Sequence, residues 1–88
     1  MTFEQITEKA KTFNTKNPIS DNDSFRIRRL KRDVIRKSND ITEAAADLEG
    51  KSPAKVRMIK RKISRIASDL DELIDELIES IAVIKELS

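Results

Sequence analysis

Histidine and cysteine are both absent from this chain of 88 residues. Without histidine it lacks the commonest general base, the commonest metal ligand and the side chain that titrates near neutrality. Without cysteine, disulfides and thiolate metal sites are excluded, and a reducing compartment is compatible with the composition. Tryptophan and tyrosine are missing too, so Phe3, Phe13 and Phe25 are the only aromatic residues. A core must therefore come from Ile, Leu, Val and Ala. The single glycine cannot make a Gly-rich phosphate loop. Apolar runs stay well short of the ~20 residues of a membrane span. Met1-Thr2-Phe3-Glu4 lacks the basic-then-apolar layout of a signal peptide. The expectation is a soluble, cytoplasmic, non-enzymatic protein that needs no cofactor.

What the chain does have is a heptad seam. Val56, Ile59, Ile63, Ile66, Leu70, Leu73 and Leu77 recur at spacings of three and four, the pattern of a long helix that packs on another. The rest follows the same period. Thr2 with Gln5 three residues on fits a capping box, and Phe3, Ile6, Ala10 and Phe13 make an amphipathic helix over about 3–14. Pro18 ends it by forcing Asn17 out of helical geometry. Ser20-Asp21-Asn22-Asp23-Ser24 is a run of N-cap residues, several of which could open a second helix over about 22–48. Its seam is Ile27, Leu30, Val34, Ile41, Ala44 and Leu48, with Lys37 laying its stem along one position. Gly50 suits a left-handed helix stop, Ser52 an N-cap and Pro53 a first helical residue, so a third helix spans about 53–87. The stop and restart within a few residues predict that helices two and three fold back on each other.

The predicted fold is all-α: a long antiparallel, coiled-coil-like helical hairpin with a short N-terminal amphipathic helix, one domain over residues 1–88. Beyond Leu70 the apolar stripe of helix three widens through Ile74, Ile78, Ile81, Val83, Ile84 and Leu87. A two-helix seam needs one stripe, so the wider end calls for another neighbour. Helix one or a symmetric mate could supply it. A chain this short buries a small core, which favours self-association.

Charge is segregated. Residues 25–37 carry seven basic groups and one acid, residues 54–65 six basic groups and no acid, and residues 66–88 seven acids and one lysine. Two arginine rows stand out: Arg28, Arg32 and Arg36, with Arg29 and Lys31 beside them, and Arg57, Arg61 and Arg65. Steps of four put each row on one helix face. Two readings follow. The rows could pair with Asp69, Asp71, Glu72, Asp75 and Glu76 across the hairpin, fixing which helix meets which. They could instead form one basic stripe against nucleic-acid phosphates, because the arginine fork donates two hydrogen bonds. Carboxylates four apart, Asp71/Asp75, Asp75/Glu79 and Glu72/Glu76, are read as an acidic solvated face rather than a cation site. Ala44-Ala45-Ala46 is read as good helix sequence, and Met58, outside the seam, as a surface or interface residue.

Two function classes remain. The first is a protein-interaction module, a small adaptor, regulator or inhibitor that packs a helical apolar face on a protein partner or on another copy. Its candidate residues are Phe3, Phe13, Ile74, Ile78, Ile81 and Leu87. The second is a nucleic-acid-binding protein using Arg28, Arg29, Arg32, Arg36, Arg57, Arg61 and Arg65 on phosphates. Steep salt dependence separates the second from the first.

Overall fold

The computed structural model describes residues 2–87. The described chain forms three α-helices that pack together: α1 over Phe3–Lys16, α2 over Phe25–Ala46 and α3 over Pro53–Leu87. The molecule is a rod, 53 × 21 × 18 Å. The 35 residues of α3 set that length, since a helix rises ~1.5 Å per residue.

Local chemistry explains each boundary. The Thr2 hydroxyl accepts from the Gln5 backbone N–H, and the Gln5 side chain accepts from the Thr2 N–H, which completes the capping box. α1 continues one half-turn past its expected end at 14. The Asn17 N–H and side-chain amide both donate to the Phe13 carbonyl, at 2.8 and 3.2 Å, and hold the last turn closed up to Pro18. α2 starts later than expected because Ser24 wins the cap, its hydroxyl accepting from the Ile27 N–H. Ser20 to Asp23 close a turn of their own instead, with a 3.0 Å backbone bond from Asp23 N to Ser20 O. α2 also ends earlier, at Ala46. The Leu48 N–H bonds back only three residues, to the Ala45 carbonyl, so the chain tightens before the turn.

Gly50 has φ 73°, and a β-carbon placed there would meet nothing within 4 Å. The cost of a larger residue is therefore one of backbone conformation alone. Gly50→Val should lower stability by roughly 1–2 kcal/mol, the penalty for the left-handed region, and Gly50→Asn should cost less. Urea unfolding of the two variants checks this.

The core is one cluster shared by all three helices: Ile6, Ala10 and Phe13; Ile27, Val34, Ile41 and Ala44; Ile63, Ala67, Leu70, Ile74 and Leu77. Its line on α3 differs from the expected seam. Ile66 and Leu73 are only half-buried, while Ala67 and Ile74 are buried. The buried line is shifted because α1 packs on the other edge of α3.

That placement also differs from the expected one. α1 does not cover the far end of α3. Phe3 and Ile6 line a groove with Ile63 and Ala67, and Phe13 and Lys16 line one with Ile74 and Ile78. α1 therefore lies beside the middle of α3. Two small residues, Ala10 and Ala67, are buried in the shared core and suit a close approach. Lys9 fixes the register by bonding Asp71 at 2.5 Å and Asp75 at 2.9 Å.

Candidate functional site

Two surfaces remain after the core is counted. The first is the C-terminal part of α3. The α1 helix is last seen against Ile78, where Phe13, Lys16 and Asn17 line the shared groove. Ser24, Arg26 and Ile27 of α2 and its cap border Glu76, Glu79, Ser80, Val83 and Ile84 across a groove of about 470 Å³. Within this region Ile78, Val83 and Ile84 are about half exposed, and Leu87 is 84% exposed. The groove's rim carries Glu76 and Glu79, with Arg26 answering Glu76.

The candidate apolar residues divide accordingly. Ile78 and Leu87 are exposed as a docking face requires. Phe3 and Ile81 are half-buried against the core. Phe13 and Ile74 are not surface at all: they are 4% and 0% exposed, because α1 occupies the stripe where a partner was expected. Val83 and Ile84 belong to the same exposed region. Met58, on the basic half of α3, is also exposed.

The second surface is basic. Arg28, Arg29, Arg32 and Arg36 share a groove on α2 with Phe25 and Asp33. That groove holds no α3 residue. Arg57, Arg61 and Arg65 are all exposed along α3.

The interhelical pairing expected of these basic residues is largely displaced. Asp71 and Asp75 bind Lys9 of α1. Arg26 and Glu76, 3.7 Å apart, form the α2–α3 ion pair among the described residues. Arg36 pairs within its own helix, with Asp33 at 2.7 Å. The bonds to Asp71 and then Asp75 raise the Lys9 pKa above that of an ordinary lysine, against the opposing effect of burial. Their contribution to stability is present below the usual lysine range and lost as pH rises through the raised value. Lys9 thus supplies the positive charge between two of the carboxylates noted as a four-apart pair. Among the described residues, no group of three or more acidic side chains is arranged to hold a metal ion.

Lys31 is the residue that sequence reasoning missed. The sequence sets it beside the arginine row, yet it is 5% exposed. Its ammonium donates to Asp23 Oδ2 at 2.8 Å and to the Pro18 carbonyl at 3.1 Å. Asp23 also accepts from the Ser20 N–H at 2.9 Å. One lysine therefore ties the 18–23 connection down onto α2. Its position four residues after Ile27 and three before Val34 was the available signal.

Among the described residues no helix is long and apolar enough to cross a membrane. No family model, no curated protein and no solved structure matches this chain, so its functional reading rests on these two surfaces.

Proposed function

We propose that this chain is a non-enzymatic helical interaction module that assembles with further copies of itself through the apolar end of α3. In this reading α2 and α3 work as a long antiparallel, coiled-coil-like hairpin, and α1 braces its middle. The observation that carries the proposal is the exposure of Ile78, Val83 and Leu87 along the last turns of a helix whose middle buries Ile63, Leu70, Ile74 and Leu77. Apolar surface concentrated on one helical end favours helix-in-groove association, driven by removing that surface from water.

Charge says what suits it. The apolar end lies between Glu76, Glu79 and Glu86, so a complementary face is apolar with basic flanks. A second copy offers one: Met58, 70% exposed, stands between Arg57 and Arg61. Such pairing across an interface guides orientation more than it adds affinity.

Multi-angle light scattering tests the proposal. The wild-type chain should give a dimer or larger species at micromolar concentration. Ile78→Lys with Leu87→Lys should give a monomer that keeps its helicity by circular dichroism, because neither residue belongs to the buried core. A wild-type mass of 10.1 kDa at high micromolar concentration would contradict self-assembly.

A further inference from the structure

We propose that the groove on the outer face of α2, lined by Phe25, Arg28, Arg29, Arg32 and Arg36, binds the backbone of single-stranded nucleic acid. It is independent of the apolar end of α3.

Position along the helix makes the site. Phe25, Arg28, Arg29, Arg32 and Arg36 are separated by three, one, three and four residues, so they fall on one face. They line a shallow groove of about 340 Å³ with Asp33. All four basic residues are arginine, the side chain whose planar fork matches a phosphate. Of the two lysines in the same block, Lys31 is used inside the fold and Lys37 lies outside the groove.

Three further observations separate this cluster from an ordinary solvated face. First, none of the α3 acids expected to answer it lines the groove: Asp71 and Asp75 bind Lys9, and Glu76 meets Arg26 outside it. Asp33, bonded to Arg36, is the one carboxylate lining the groove. Second, Phe25 and Arg28 stand in the first turn of α2, which has no acidic residue. The positive end of the helix dipole disfavours cations there and favours an incoming anion. Arg28 Nη2 donates to the Asp23 carbonyl at 3.4 Å, while its buried Nε has no hydrogen-bond partner. Third, Phe25 is 78% exposed at the groove's end. An aromatic face left in water beside phosphate-binding arginines is the arrangement that stacks an unpaired base. An acidic peptide has no base to give it, and a duplex keeps its bases stacked on each other.

Fluorescence anisotropy of the full chain with a labelled oligothymidylate tests the proposal. Arg36 is shared with Asp33, so three to four contacts are available. The plot of log affinity against log salt should then have a slope of about −2 to −3. Arg32→Ala should reduce its magnitude by about 0.7 and weaken oligothymidylate and oligoadenylate alike, since phosphate contacts carry no base information. Phe25→Ala should weaken binding roughly tenfold with the slope unchanged, because stacking releases no counterions. Asp33→Asn frees Arg36 and should both tighten binding and steepen the slope. Arg61→Ala, on the other arginine row, should change little. The proposal is overturned by any of four results: no binding in ~50 mM salt, where such contacts are strongest; equal binding to polyglutamate; equal binding to vesicles with anionic headgroups; or a duplex bound as tightly as the single strand with Phe25→Ala indifferent.

Discussion

Replacing Leu70 by alanine should lower the unfolding free energy by about 2–5 kcal/mol, the usual range for a buried leucine. Leu70 is 0% exposed and sits in the cluster shared by all three helices. The cavity would open between α3 and its neighbours, where neither can close in without moving the other. In a chain this small such a loss approaches the whole of its stability. Leu73→Ala should cost distinctly less, because Leu73 is only half-buried on the edge away from the core line. Urea unfolding of the pair, followed by circular dichroism, gives the comparison. Equal losses would show that the core on α3 follows the simple 66–70–73 seam rather than the line through Ala67 and Ile74.

The second large effect is expected at Lys31. Lys31→Ala should cost about 3 kcal/mol, because it strands Asp23 and the Pro18 carbonyl without their shared donor. Asp23→Asn should cost less, since an amide oxygen can still accept from Lys31 and from the Ser20 N–H. The pH dependence has a definite sign. The Lys31 ammonium first, and the Ser20 N–H second, hold the Asp23 carboxyl below the usual carboxylate pKa. A lowered folded-state pKa gives stability that is present above the ordinary carboxylate range. It is lost as pH falls below that range and through the lowered value. Lys31→Ala should remove this part of the acid sensitivity, so its deficit should be smaller near pH 3 than near pH 7, on either side of the unperturbed carboxylate pKa. A deficit independent of pH would show that Lys31 acts only by filling space with its stem.

The sequence shows the helices more clearly than their arrangement, and the residues explain the difference. Thr2 with Gln5, Gly50 and Pro53 act within a few residues of themselves, so that cap, the stop and the restart are readable locally, whereas the run 20–24 offers several caps and leaves the choice of Ser24 open. Which edge of α3 is buried depends on contacts between residues some sixty positions apart, of which Lys9 with Asp71 and Asp75 is the clearest. Nothing in the period of three and four distinguishes Leu73 from Ile74 until α1 is placed. The same placement removes Phe13 and Ile74 from the candidate partner surface and leaves Ile78 and Leu87 on it. The arginines were legible as residues, but not as a groove free of α3 acids, because a carboxylate's partner is set by geometry rather than by charge counting. Lys31 was hidden for the opposite reason: its charge set it beside the arginine row although its position on the helix was a buried one.

The most direct test is amide hydrogen exchange along α3, followed residue by residue at low and high micromolar concentrations of the chain. If the apolar end of α3 is where copies meet, protection of residues 79–86 should rise with concentration. Residues 63–77, covered within one chain, should exchange at the same slow rate throughout. Protection over 79–86 that does not change with concentration, in wild type and in the Ile78→Lys, Leu87→Lys variant alike, would contradict the account.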